Sequence, residues 1–186
     1  HSNCSSISIS PNAPSAITVI ATAMAASGPA LAADPPVAEK APIAVPQPIA
    51  CPTGTRSSRE YAFSLMGNRA GYQTVCLQAD GTRVIHFAYN DRGRGPALTS
   101  KIRLDAKNVP VAITTDGNDY LKGPVAERFT REAGTAAWQN KVESGTQPVA
   151  GAAFYVSQSG SFEELGLLAR ALRDAPDRKL ALLPQG

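Results

Sequence analysis

The chain has 186 residues, of which 43% are hydrophobic and 18% are charged, and this composition is sufficient for one ordinary globular domain. Its net charge is +3 and the charges are interspersed, which argues against a nucleic-acid partner. The chain carries only two histidines and three cysteines, so few side chains are available as zinc ligands.

The first 33 residues resemble a secretory signal. No Asp, Glu, Lys or Arg occurs before Asp34, and the short apolar run AITVIATAMAASGPALAAD contains an A-x-A site at Ala30 and Ala32. Such a segment predicts export to the periplasm or the extracellular space, with no membrane span after its removal. A disordered Ala-rich tail is the alternative. A basic n-region is missing, so we expect the true start to be upstream or misread.

Residues 34–58 form a Pro- and Ala-rich segment, DPPVAEKAPIAVPQPIACPTGTRSS. Proline fixes the backbone and removes a hydrogen-bond donor, so the segment predicts a semi-extended linker, with the folded part starting near residue 59. After signal removal Cys51 and Cys76 remain. An exported chain with one cysteine pair is compatible with a disulfide, and two free thiols are the alternative.

Residues 59–175 are predicted to form a β-meander with one helix. Apolar residues alternate with polar ones in several runs, for example Ile85, Phe87 and Tyr89, which is typical of strands with one buried face. Asp80–Gly81 between two such runs is a hairpin signal. Strands joined by short turns pair with their neighbours, so we expect a mainly β fold, an antiparallel meander that forms a sandwich or an open barrel.

The period changes to a helical one in SFEELGLLARALRDAP. Ser161 and Glu164 form a capping box, and Pro176 ends the helix. The apolar stripe carries Leu165 and Leu168, which we expect to face Trp138 on the sheet. The following RKLALLPQG opens a new apolar run, so residues 176–186 are predicted to begin a further, missing segment.

The residues show no catalytic motif. There is no H-x-H, C-x-x-C or G-x-S-x-G, and His86, the one histidine in the folded part, is interpreted as a strand wall residue. The stretch YNDRGRGP lacks the lysine of a P-loop and precedes a strand, so it predicts a wide bend between strands. We therefore assign the chain no catalytic, cofactor-binding or metal-binding residue.

Taken in order, several stretches resemble the N-terminal region of secreted bacterial proteins of the metal-dependent amidohydrolase superfamily, over about two-thirds of the chain. The stretches that carry the resemblance are FSLMGNRAGYQTV, FAYNDRGRGP, IRLDAKNVPVAITTDGNDYLKGPVAERF, GTAAWQNKVESG, AFYVSQSGSFEELGLLARAL and LALLPQG. In that family such a β-rich region precedes a catalytic (β/α) barrel, which holds a zinc-like divalent metal through an H-x-H, further histidines and an aspartate. None of these motifs is present here.

The resemblance implies a non-catalytic accessory domain whose partner is its own downstream catalytic barrel, an enzyme acting on C–N bonds. Two polar connections would then be candidates for contact with the barrel, through Arg92, Arg94, Asp119, Tyr120 and Lys122. The alternative is a stand-alone periplasmic β-domain that binds an apolar or lipid-like ligand.

Overall fold

The structure, a computed structural model, describes residues 44–184, and most of these residues form one long antiparallel meander. Eight strands pair only with their sequence neighbours, in the order β1 to β8. A second, two-stranded sheet and one helix follow. The elements are β1 Thr55–Leu65, β2 Asn68–Gln78, β3 Arg83–Tyr89, β4 Ala97–Leu104, β5 Pro110–Asn118, β6 Pro124–Glu132, β7 Thr135–Gln139, β8 Ser144–Pro148, β9 Ala153–Tyr155, α1 Phe162–Asp174, a 3₁₀ turn Pro176–Arg178, and β10 Ala181–Leu183.

The predicted fold class is confirmed: the protein is mainly β, an antiparallel meander with one helix. The sheet stays open, because β1 and β8 are its edges and do not pair with each other. The alternation that predicted β3 holds, since Ile85 and Phe87 point to the inner face, where they pair with Ser100 and Leu98 of β4. Period-two patterning thus fixes which side of each strand enters the core.

The main core lies between the inner face of the sheet and the C-terminal elements. It joins sheet residues to helix and strand residues from β9, α1 and β10, and Leu167 on α1 is 1% exposed. Burying one such side chain contributes about 1.5–3 kcal/mol. The buried members are Val75, Ile85, Ile102, Val109, Ile113, Phe129, Ala136, Ala153, Phe154, Tyr155, Leu167, Ala171 and Leu183.

The N-terminal boundary differs from the prediction. The first strand begins at Thr55, and Cys51 forms a disulfide with Cys76 on β2, so the end of the predicted 34–58 linker belongs to the fold. The carbonyl of Ala44 also accepts a hydrogen bond from Asn90 Nδ2. Proline does not prevent this packing, because the segment lies on the sheet without joining it. The predicted 1–33 signal segment lies outside the described residues.

The C-terminal boundary differs as well. Residues 176–186 were predicted to begin a separate segment, but within them β10, Ala181–Leu183, pairs in parallel with β9. Leu183 is buried in the main core. An apolar run of three residues cannot reveal its partner from sequence alone, and here the partner lies nearly thirty positions upstream. Within residues 44–184 no helix is long and apolar enough to cross a membrane.

Helix α1 forms where it was predicted, but it presents a different face to the sheet. The residues it buries are Glu163, Glu164, Leu167 and Ala171. Leu165 is instead 60% exposed, while Leu168 and Trp138 pack at the border of the main core. The expected stripe is therefore rotated outwards, and two carboxylates enter the protein because each finds hydrogen-bond donors there.

Candidate functional site

A pocket opens between the first half of α1, the end of β9 and the inner face of the sheet. Its volume is about 210 Å³, larger than the 150 Å³ or so that holds a benzene ring in a dry protein cavity. Its mouth is formed by side chains that are partly exposed, Val156, Phe162 and Leu165. Phe87, Phe154 and Leu168 continue the apolar wall inwards.

One side of the pocket is an aromatic cluster. Phe162, at the start of α1, stacks on Phe63 of β1 with ring centroids 5.6 Å apart and meets Phe87 edge-on at 5.4 Å. Tyr89 extends the cluster, 4.6 Å from Phe63. Offset and edge-to-face pairs are the favoured geometries for aromatic rings. The helix start is thereby fixed against β1 and β3, although Phe162 itself stays 53% exposed.

Beneath the pocket, Glu127 of β6 ties the segment before α1 to the sheet. The carboxylate is 1% exposed. One oxygen accepts hydrogen bonds from the Tyr155 hydroxyl and the backbone amide of Gln158, both at 2.8 Å. The other oxygen accepts from the backbone amide of Ser159 at 2.9 Å. Burial raises the pKa of the Tyr155 phenol, so it remains a donor. Glu127 is a fully bonded structural carboxylate.

Glu164 is the polar group that faces the pocket. Its Oε1 accepts a hydrogen bond from the Ser161 amide at 3.0 Å, which is the carboxylate half of the capping box predicted from the sequence. Its Oε2 is buried, and so is the Ser157 hydroxyl beside it. Neither atom has a partner of normal hydrogen-bond geometry among residues 44–184. Burial raises the pKa of Glu164, and the nearby charge of Glu127 raises it further, while the Ser157 hydroxyl and the Ser161 amide oppose the rise.

This arrangement favours binding over bond-breaking chemistry. A carboxyl with a raised pKa carries its proton to higher pH and can donate as well as accept a hydrogen bond. Ser157 offers the same two possibilities. Together they provide a small polar end to an otherwise apolar pocket, which is the usual design of a site that orients one polar head group of a small molecule.

The five residues predicted to contact a further domain lie elsewhere, in two neighbouring turns at one end of the sheet. The β3–β4 turn and the β5–β6 turn meet there through the Tyr120 hydroxyl, which donates to Asp91 Oδ2 at 2.6 Å. The guanidinium of Arg94 lies 5.2 Å from the centre of the Tyr120 ring. Arg92 forms an ion pair with its neighbour Asp91 at 3.0 Å. The structure therefore brings these residues together.

The remaining two residues bind within the same region, which we call the turn end, residues 90–96, 119–123 and 140–143. Lys122 Nζ donates to the Gly95 carbonyl at 2.6 Å, and Asp119 pairs with Lys141 at 3.1 Å. The hydrogen bond from the Tyr120 hydroxyl, and after it the one from Arg92, lowers the pKa of Asp91. Gly95 is required, because a Cβ there would lie 2.2 Å from the Tyr89 carbonyl oxygen. Gly95 of the YNDRGRGP stretch thus permits the close approach of the two backbones at this turn.

Sequence reasoning missed Glu127 and Glu164 as residues of the pocket region. Glu127 occupies an inward position of β6, between Val125 and Phe129, which are also buried. A charged residue at an alternating apolar position is the signal that could have identified it.

His86, which was interpreted as a strand wall residue, lies on the outer face of the sheet. Its Nδ1 contacts Thr99 Oγ1 at 3.1 Å, and burial lowers the pKa of the imidazole.

No family model, no curated protein and no solved structure matches this chain. The resemblance to the amidohydrolase superfamily therefore stays a prediction.

Proposed function

We propose that this chain is the non-catalytic accessory domain of an exported metal-dependent amidohydrolase, and that the C-terminal β9–α1–β10 unit packs against its catalytic domain. The single observation that carries the proposal is the exposed apolar stripe on α1. The stripe consists of Phe162, Leu165 and Leu172, which are 53%, 60% and 39% exposed. These residues lie on a different face of α1 from its buried residues. An apolar stripe of this kind marks a surface that another protein layer covers.

The strand pairing beside the helix supports the same conclusion. β9 and β10 form a parallel pair, and the two strands make up the whole of their sheet within residues 44–184. Parallel strands occur almost only in α/β sheets that are covered on both faces, such as the (β/α) barrel. The stretches that resemble the amidohydrolase superfamily include both strands and the helix.

The metal of that family would be held by the barrel. Among residues 44–184 no group of three His, Cys, Asp or Glu side chains lies together in a way that could hold an ion. We assign the metal no ligand from this chain, and the role of the chain is to support and position the catalytic domain.

The docking surface can be tested with a pair of polar substitutions, Leu165→Ser and Leu172→Ser. Both side chains are exposed in this chain alone, so the variant chain should unfold at the same denaturant concentration as the parent. In the full-length protein, read from the gene beyond Gly186, the same pair should lower stability or hydrolase activity clearly. The measurements are urea unfolding of both forms and turnover of the longer one.

The matched control is Leu121→Ser, because Leu121 is 73% exposed at the turn end and away from α1. It should change neither form. The proposal fails if the gene encodes no further domain with an H-x-H, or if the α1 pair and the Leu121 variant have the same effect in the full-length protein.

A second function is favoured by the pocket. We propose as the competing candidate that the domain binds a small apolar molecule with one hydroxyl, amide or carboxyl head. The observation is that Glu164 Oε2 and Ser157 Oγ are buried at the end of an apolar pocket of about 210 Å³ and have no partner of normal hydrogen-bond geometry among residues 44–184. Unpartnered buried polar atoms are costly, and a ligand head would satisfy them.

Benzyl alcohol and toluene distinguish this candidate, because the two molecules differ by one hydroxyl. Titration of the chain, followed by NMR shifts of Val156 and Leu168, should show tighter binding of the alcohol. Glu164→Leu should remove that preference. Equal affinity for both molecules, or no saturable shift with either, would reject the ligand function and leave the docking surface as the only role for this face.

A further inference from the structure

A second cleft lies at the β1 edge of the sheet, on the inner face that also packs against α1. Strand register places Ser57, Leu77 and Arg83 in one row on the inner face, with Arg59 and Val75 in the next row. These side chains line an open cleft of about 300 Å³. Leu77 and Val75 form an apolar floor, and the two arginines and Ser57 form its rim.

The cleft carries more positive than negative charge. Arg170 of α1 lies outside the lining but close enough to Arg83 for their charges to interact, and its Nη2 lies 2.9 Å from Glu163 Oε1. Arg59 Nη2 reaches the same oxygen at 3.4 Å. Glu163 is 6% exposed, so it is a buried counter-ion for both. Three guanidinium groups and one carboxylate leave an excess of two positive charges.

Arg83 is the guanidinium of this group that does not pair with Glu163. It is half-buried, and no hydrogen bond or ion pair joins its side chain to another residue between 44 and 184 at ordinary distances. Burial lowers the pKa of Arg83, and the charge of Glu163 opposes this change. The positive charges of Arg170 and Arg59 lower the pKa of Arg83 further. Arginine nevertheless stays charged in proteins. A half-buried charge among like charges is stabilised by an added anion.

We infer that Arg59, Arg83 and Arg170 bind the phosphate group of a small organic phosphate, with Val75 and Leu77 contacting its organic part. A phosphate monoester carries a charge of about −1.5 to −2 and three acceptor oxygens, which matches the excess charge of the cleft. A carboxylate brings one charge and two oxygens and would leave part of that excess. Guanidinium groups bind phosphate through paired, directional hydrogen bonds.

The site is independent of the docking surface and of the apolar pocket. The cleft is lined by residues of β1, β2 and β3. The residue of α1 that pairs with Arg59, Glu163, is on the buried face of the helix, whereas the apolar stripe of α1 is on the exposed face. The cleft can therefore be tested in this chain alone, and its test does not depend on whether a catalytic domain follows.

The experiment is calorimetric titration of the chain at low ionic strength with phenyl phosphate, inorganic phosphate and acetate. Phenyl phosphate should bind most tightly if the source is an organic phosphate, since its ring covers the apolar floor, and inorganic phosphate should follow. Acetate should bind at least about tenfold more weakly than either. Affinity should fall as salt is added, because the partly open arginines are screened.

Arg83→Gln should weaken phenyl phosphate binding about tenfold or more, since it removes the open guanidinium. Arg103→Gln is the matched control: it removes the same charge from β4, on the outer face of the sheet, where Arg103 is exposed. Arg83→Lys keeps the charge but not the planar fork, and it should lose part of the affinity.

Near-ultraviolet circular dichroism verifies that each variant is folded. The inference is overturned if no phosphate binds saturably, if acetate binds as well as phenyl phosphate, or if Arg103→Gln weakens binding as much as Arg83→Gln. If Arg83→Gln fails to fold, the Arg83→Lys variant decides the outcome, and an unchanged affinity in that variant also overturns it.

Discussion

Polar side chains are bonded to each other at the turn end but not at the helix face, by which we mean the side of α1 that borders the apolar pocket. At the turn end the Tyr120 hydroxyl donates to Asp91 and Lys122 Nζ donates to the Gly95 carbonyl, so the two neighbouring turns bond to each other. At the helix face Glu164 Oε2 and Ser157 Oγ are buried beside each other without a partner of normal hydrogen-bond geometry among residues 44–184, and Leu165 faces the solvent. The first region is complete by itself, and the second is not.

The difference teaches where to look for a partner. Polar side chains in a loop invite a functional interpretation, but a cluster whose members satisfy one another has little left to offer a ligand. Unsatisfied buried atoms and exposed apolar side chains are the stronger indication, because each carries a free-energy cost that binding removes. By that criterion the helix face ranks above the turn end. The four predictions below test this ranking.

The largest expected effect is at Glu127, the carboxylate under the pocket. Glu127→Ala leaves the Tyr155 hydroxyl and two backbone amides without their acceptor. We expect a loss of about 3–5 kcal/mol in the free energy of unfolding. Urea unfolding followed by circular dichroism measures it. Asp91→Ala at the turn end is the comparison, and it should cost clearly less. Equal losses would mean that both carboxylates are equally structural.

The second prediction concerns pH. The folded-state pKa of Glu164 is raised, so the folded protein binds this proton more tightly than the unfolded chain does. Stability from this group is therefore complete below the unfolded pKa of about 4.5 and declines as pH rises through the folded value.

Glu164→Gln removes the titration and keeps an oxygen for the Ser161 amide. The stability difference between this variant and the parent should favour the variant increasingly above pH 5, in denaturant unfolding at several pH values. A difference that stays constant with pH would show that Glu164 keeps an ordinary pKa.

A smaller effect is expected at Tyr120. Tyr120→Phe removes the hydroxyl that donates to Asp91 but keeps the ring beside Arg94. The pair is near the surface, so the melting temperature should fall slightly. The pKa of Asp91 should rise towards its usual value, because the Tyr120 bond is the first cause of its lowering. An NMR titration of the carboxyl carbon measures this. An unchanged pKa would mean that the two turns do not bond.

The smallest effect is expected at Arg92. Its side chain is 79% exposed and pairs only with its neighbour Asp91 among the described residues. Exposed ion pairs contribute little, so Arg92→Ala should leave thermal unfolding of this chain unchanged. If the same substitution destabilises a longer protein that carries the proposed catalytic domain, the turn end is a second contact with that domain, and the ranking of the two regions needs revision.

Much of the sheet could be predicted from local pattern. Alternation placed Ile85 and Phe87 on one face, Asp80–Gly81 marked a hairpin, and Ser161 with Glu164 marked the helix start. These features depend on residues a few positions apart. The rest depends on partners that are distant in the chain.

The turned helix face is the clearest example of what the sequence could not give. Glu163 is buried because its amide donates to Gln73 and its carboxylate meets Arg59. Both partners are about a hundred positions upstream. No helical pattern contains that information, so the more apolar stripe was expected to be the buried one. The same reason conceals the role of Glu127, whose donors lie about thirty residues downstream.

The meander also has a consequence for how the chain reaches its structure. Each hairpin closes between adjacent strands, so most of the sheet has low contact order and can assemble quickly as it is synthesised. The bond from the Glu163 amide to Gln73 spans 90 positions. We therefore expect the β9–α1–β10 unit to settle last. Pulsed hydrogen exchange should show protection of α1 amides after that of β2 and β3, and during this interval the apolar inner face of the sheet is uncovered.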